Sequence, residues 1–168
     1  MTMLAMCSLA LTCQGQVNRM YIEDFEIEPD STVTVPLMLA NESESRGLQY
    51  SLELPEGLEL EEYELSRHSK RYGMHLTCRK VAERTYGAFV YPMELICYPP
   101  ATSPIVMLTF TAGHDFKGGQ ILLRNGRGST MDNQTFVIDC DTATVTVPAA
   151  ALVGIPTDQK AGEDQFFH

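Results

Sequence analysis

The groups of this 168-residue chain that could carry chemistry are four histidines, five cysteines, seven tyrosines and 22 acidic side chains. His68, His75, His114 and His168 fall in no HExxH or other close metal-ligand spacing, so they read as surface or loop imidazoles. No GxSxG elbow, P-loop or GxGxxG occurs, and with them go the usual signs of an activated serine or a phosphate cradle. Glu61-Glu62 and Asp139 with Asp141 are neighbouring carboxylates. A glycosidase needs its two carboxyls about 5 or 6.5–9.5 Å apart across a cleft, which closeness in sequence does not supply, so a glycoside hydrolase ranks last. Asp132, Asn133, Asp139 and Asp141 offer the hard oxygens that calcium prefers, but their spacing is not that of an EF-hand. No metal and no cofactor is assigned.

Cys7 and Cys13 lie in an apolar N-terminal run and leave with it if it is cleaved, so Cys78, Cys97 and Cys140 remain. Three cysteines allow three pairings or none, and no spacing chooses among them. Tryptophan is absent. A platform for stacking on sugar rings would therefore fall to Tyr63, Tyr72, Tyr86, Tyr91 and Tyr98, with core or edge packing of several of them as the competing expectation. Charge is segregated along the chain: residues 20–64 hold 13 acids and one base, whereas residues 65–85 hold six bases and one acid. The basic stretch nominates Arg67, Lys70, Arg71 and Tyr72, together with Tyr63 and Tyr98, as ligand-binding residues for an acidic glycan or an acidic partner surface.

The elements that must position these groups are strands. Period-two alternation runs through Val33, Val35, Leu37 and Leu39, and again through Leu48, Tyr50, Leu52 and Leu54. Met20 and Ile22 share one parity and Phe25 and Ile27 the other, which predicts a bulge at Glu23-Asp24. Further strands are expected at 74–78, 87–93, 105–112, 120–123, 135–140 and 142–147. The run IVMLTF is apolar on both faces and reads as a central strand covered on two sides. Pro55-Glu56-Gly57, Pro99-Pro100, Lys117-Gly118-Gly119 and Asn125-Gly126-Arg127-Gly128 read as turns. Residues 59–72 are the least strand-like and suggest a loop with a short helix.

The size supports one core. No charge occurs in the first 18 residues, and MLAMCSLALTC has the length of a signal-peptide core but not of a membrane span. The expected organisation is a signal peptide over 1–16, a domain over 17–148 and a polar tail over 149–168, which together predict a secreted or surface-exposed protein without membrane insertion. A formal net charge of −10 repels phosphate backbones, so nucleic acid is not an expected partner. Many short strands with little helical periodicity predict an all-β, antiparallel β-sandwich.

Ser31 to Leu60, STVTVPLMLANESESRGLQYSLELPEGLEL, resembles the opening strands of cohesin-like domains, and Pro104 to Leu123, PIVMLTFTAGHDFKGGQILL, resembles their hydrophobic strand and the hairpin after it. With MYIEDFEI at Met20 to Ile27, about 130 residues carry this resemblance. It implies a jelly-roll sandwich of about nine strands and a non-catalytic binding module that engages a polysaccharide or a partner protein in adhesion or extracellular assembly. A structural spacer assembling through its strand edges is the competing reading.

Overall fold

The computed structural model describes residues 18–149, so the expected signal peptide, Cys7, Cys13, His168 and nearly all of the tail lie outside the described residues. Twelve strands and one short helix follow in the order β1 (Arg19–Tyr21), β2 (Phe25–Glu26), β3 (Thr32–Asn41), β4 (Gly47–Glu53), β5 (Leu58–Leu65), α1 (Arg67–Arg71), β6 (Met74–Ala82), β7 (Thr85–Pro92), β8 (Ala101–Ala112), β9 (Gly119–Ser129), β10 (Thr135–Val137), β11 (Asp139–Cys140) and β12 (Thr142–Thr146). They form two sheets, β11-β1-β3-β8-β5 and β2-β12-β9-β4-β7-β6, with β10 added to β9 in the second. We call these sheet A and sheet B. The expected all-β sandwich is present, with two differences. The strands number twelve rather than about nine, because two stretches that read as single strands each cross from one sheet to the other and β5 is added, and the short pairs β1–β11 and β2–β12 are parallel.

The core lies between the sheets. Leu37, Leu39, Val106, Leu108 and Phe110 face inward from sheet A, and Leu48, Tyr50, Leu52, Val90, Ile121 and Leu123 from sheet B, all buried. The alternation in β3 and β4 is therefore the half-buried pattern that the residues imply. The apolar run of β8 has another origin than a second covering layer. Its register with β3 breaks opposite Leu37/Met38, so Ile105 is an extra residue and both Ile105 and Val106 turn inward, while Met107 is only half-buried on the outer face.

Glu23-Asp24 is not a bulge. Met20 and Ile22 are buried from the sheet A side and Ile27 from the sheet B side, because the chain crosses between sheets at these two acids. The Asp24 carboxylate accepts the Thr144 amide at 2.7 Å and ties the crossing to β12. The expected single strand at 135–140 is likewise split: β10 belongs to sheet B and β11 to sheet A, with Ile138 buried at the crossing. Asn125-Gly126-Arg127-Gly128 is no turn; it continues β9, where the glycines provide space rather than positive φ. A Cβ on Gly128 would lie 2.2 Å from the Phe136 ring, and one on Gly126 would lie 2.5 Å from the Ile138 carbonyl. Phe136 thus covers the bare backbone of the facing strand.

Residues 59–72 hold more strand than expected, since β5 runs to Leu65 before the single helical turn begins. Ser66 caps that turn: its hydroxyl accepts the Ser69 amide at 3.1 Å and donates to the Pro104 carbonyl at 2.6 Å. Lys70 and Arg71 in the last turn suit the negative end of the helix, and Gly73, at φ +61, leads the chain away.

Candidate interaction face on sheet B

Of the six residues nominated as ligand-binding, none joins a common aromatic platform. Tyr98 is 1% exposed. Its hydroxyl donates to Ser69 Oγ at 2.6 Å, and Ser69 Oγ in turn donates to the Ile105 carbonyl at 2.6 Å. This corrects its nomination: the ring is a core residue, and burial pushes its hydroxyl up to about 12. Tyr63 is partly exposed on edge strand β5, but its hydroxyl donates to the Cys78 carbonyl on edge strand β6 at 2.9 Å. It fastens the two sheets along their open side. Tyr72 is half-buried, with the His68 ring 5.0 Å away and Tyr98 at 6.0 Å. Arg67, Lys70 and Arg71 are exposed on α1, and Lys70 pairs with Glu64 at 2.7 Å.

The other candidates disperse as well. Asp141 pairs with Arg19, while Asn133 accepts from Arg46 at 3.0 Å in the loop between β9 and β10. The four oxygen-bearing residues considered for calcium therefore do not converge, and among the described residues no group of three potential metal ligands assembles. Cys78, Cys97 and Cys140 are free thiols, and burial pushes Cys78 up to about 11. A cleft between the sheet ends is lined by Glu56, Glu59 and Glu83, but all three are exposed, whereas a glycosidase acid is held in an apolar pocket.

The outer face of sheet B is different in kind. Strand register places Thr77, Phe89, Gln49, Arg127 and Val137 in one row across five strands, a span of about 19 Å at ordinary strand spacing. In the row on one side, His75 pairs with Tyr91 and Ser129 with Gly47 and Thr135; on the other, Arg79, Gly87, Ser51 and Arg124 are aligned. Large apolar groups stand in water on this surface: Phe89 is 49% exposed, Tyr91 40%, Val81 60% and Val137 70%. Phe89 and Tyr91 wall one side of a groove of about 450 Å³, opposite Arg127, Ser129 and Thr135. Gly47, opposite Ser129, puts no side chain between the walls. Exposed apolar clusters of this sort mark interaction surfaces.

The outer face of sheet A gives the contrast. Its rows are Thr32–Thr111–Glu59, Thr34–Thr109–Glu62 and Pro36–Met107–Glu64. The threonine hydroxyls are satisfied across the strands at 3.2 and 2.9 Å, and Glu61 accepts from Thr111. The free edges of both sheets on this side are charged and bulged. β5 carries Glu59, Glu61, Glu62 and Glu64 with a break at Leu60/Glu62, and β6 carries Arg79 and Lys80 with a break at Lys80/Ala82. Such devices oppose strand-to-strand assembly, which disfavours a spacer that polymerises through its edges.

The architecture has clear counterparts among solved proteins. A type I cohesin from Clostridium thermocellum, solved in complex with a dockerin, superposes with a TM-score of 0.67 at 11% identity over 79% of this chain and 99% of its own. The cohesin module of a family 33 glycoside hydrolase from Clostridium perfringens gives 0.66 at 13% identity, over 80% of this chain and 100% of its own. A non-cellulosomal cohesin from the archaeon Archaeoglobus fulgidus gives 0.65 at 11% identity, over 82% and 95%.

The chain has the cohesin fold.

No family model matches it, and no curated protein does. At these identities the likeness is one of backbone path. The cohesin frame therefore supplies two outer sheet faces of known layout, while their side chains are this chain's own. In the sequence Tyr91 stands only as one of five tyrosines, and Phe89, Val137 and Arg127 carry no signal of this face. The run AFVY, 88–91, is apolar throughout, so its parity is hidden, and Arg127 sits in the stretch that reads as a turn.

Proposed function

We propose that this protein is a non-catalytic protein-binding module that docks a partner on the outer face of sheet B. The observation that carries the reading is the row Thr77–Phe89–Gln49–Arg127–Val137, with Phe89 49% and Val137 70% exposed beside the groove. A sheet face backed by a buried core can meet a partner without reorganising, so little ordering entropy opposes docking. Support comes from the cohesin fold, since several neighbours were solved with dockerins bound. A polysaccharide ligand is the weaker reading: tryptophan is absent, and two of the nominated tyrosines use their hydroxyls inside the fold. With the apolar N-terminus read as a signal peptide, the module would act outside the cell, in adhesion or extracellular assembly.

The test is a pull-down from the host's secreted fraction with the wild-type domain and with Phe89→Asp, alongside a glycan array. The variant changes an exposed side chain, so its melting temperature should match the parent. A protein retained by the wild type and lost with Phe89→Asp is the expected outcome. Equal retention by both, or binding only on the glycan array, would overturn the proposal.

A further inference from the structure

The charge on the proposed docking face runs against that of the whole molecule. The chain carries −10, yet the charged residues aligned on the outer face of sheet B are Arg79, Arg124 and Arg127, joined by the ring of His75. No carboxylate stands in those rows; Glu53, two residues along β4 from Ser51, lies 3.7 Å from Arg124 Nε and offsets that arginine. Arg79 and Arg127 have no ion-pair partner among the described residues and stand exposed. Arg127 lies in the same row as Phe89 and Val137, and Arg79 lies two residues along β6 from Thr77, which faces Phe89. Two unpaired guanidinium groups therefore border an apolar centre.

We infer that the partner of this face is a protein surface with an apolar anchor flanked by carboxylates. This rests on the docking reading above and adds the chemistry of the partner to it. The argument is one of complementarity. An apolar side chain placed between Phe89 and Arg127 removes both from water, and an unpaired guanidinium at the border of a dry patch is stabilised by a carboxylate, which it can hold through two parallel hydrogen bonds. A cationic partner would meet Arg79 and Arg127 with no compensating acid. The acidic outer face of sheet A, with Glu59, Glu62 and Glu64 aligned along β5, repels the same partner and so turns it toward sheet B before contact. The basic helix residues Arg67, Lys70 and Arg71 lie outside these rows and are not needed.

The experiment is a selection of a phage-displayed three-helix scaffold, randomised on one helical face, against the purified chain at low salt. Selected binders are then measured against the wild type, Phe89→Ala and the pair Arg79→Glu/Arg127→Glu. The expected result is enrichment of Asp and Glu around an aliphatic or aromatic position. Affinity should fall at least about tenfold with either variant and again as salt is raised. Binders that need Phe89 but show no acidic enrichment, and that ignore both salt and charge reversal, would overturn this inference and leave the docking face standing. Binders indifferent to Phe89, or an empty selection, would count against the docking face itself. Salt-sensitive self-association of the chain, lost in the arginine variant and in Glu59→Lys/Glu62→Lys, would replace the partner with a second copy and refute the proposal in that form.

Discussion

Gly126→Ala puts the reading of β9 at risk. In an ordinary strand this change is stabilising by about 0.4–1 kcal/mol, because alanine has less backbone freedom to lose. Here φ is not the obstacle, since Gly126 is absent from the positive-φ positions. The obstacle is space: the new methyl would lie 2.5 Å from the Ile138 carbonyl oxygen and 2.5 Å from Cys140 Sγ. A relaxed carbon–oxygen contact is about 3.3 Å, so the backbone at 138 must retreat by about 0.8 Å. The same backbone donates the Ile138 amide to the Gly126 carbonyl at 2.9 Å, and that bond is strained by the retreat. Overpacking costs about 1–3 kcal/mol and a weakened hydrogen bond up to about 1 kcal/mol, against the small entropic gain. The net expectation is a loss of about 1–3 kcal/mol, or roughly 3–9 °C in melting temperature for a domain of this size. Urea unfolding with an unchanged m-value reports it directly. Cys140→Ala in the same background removes one of the two clashes and should restore part of the loss. A Gly126→Ala protein as stable as the parent, or more so, would refute the close approach of β9 to the crossing at Ile138.

Other consequences follow from buried groups. Ser69→Ala leaves the buried Tyr98 hydroxyl without its partner, while the Ile105 carbonyl keeps the Ser66 amide; a loss of about 1–3 kcal/mol is expected, much of it recovered by adding Tyr98→Phe, and additivity of the two in urea unfolding would show that the hydroxyl chain does not exist. His68 has its pKa lowered by burial first and then by Arg71. The unfolded chain therefore takes up this proton before the folded one does, and stability falls as pH drops below about 6.5 toward the folded value. The melting temperature of His68→Gln should decline less across that window than that of the wild type, and an identical slope would exclude the imidazole as the cause. Cys78, buried and pushed up to about 11, should resist thiol labelling at about pH 8 until the chain unfolds. Rapid native labelling at that position would contradict its burial.

The sandwich was legible in the residues because alternation reports burial directly. Val35, Leu37 and Leu39 and their counterparts Leu48, Tyr50, Leu52 and Leu54 are buried as their parity requires. Alternation does not say which sheet a residue faces from, and two of the errors share that cause. A change of parity at Glu23-Asp24 looks the same whether a strand bulges or the chain crosses to the other sheet. Thr135 to Cys140 hides a crossing at Ile138 for the same reason. Asn125-Gly126-Arg127-Gly128 misled through composition, since a glycine chosen for close approach to Phe136 or Ile138 has the same letter as one chosen for a turn. The candidate face was lost with that stretch, because a supposed turn cannot align Arg127 with Phe89. Tyr98 could be judged only by its partners, Ser69 on the helix and Ser45 across an isolated bridge, and neither contact is local in sequence.

Total charge is the quantity that most misdirects a reading of this chain. The two sheets of a sandwich lie about 10 Å apart, and their outward side chains extend that separation, while screening at physiological salt acts over about 8 Å. Charges on one outer face are therefore nearly invisible to a partner at the other. The segregation along the sequence becomes a segregation in space: β5 faces outward with Glu59, Glu62 and Glu64 from sheet A, and β6 with Arg79 from sheet B, although the two strands are joined by one helical turn. A net value of −10 suggests a cationic partner, yet the face with the exposed aromatics favours an anionic one. Nucleic acid requires a run of phosphate contacts. Arg79 and Arg127 instead border an apolar centre with Phe89 and Val137, which a phosphate backbone would leave exposed.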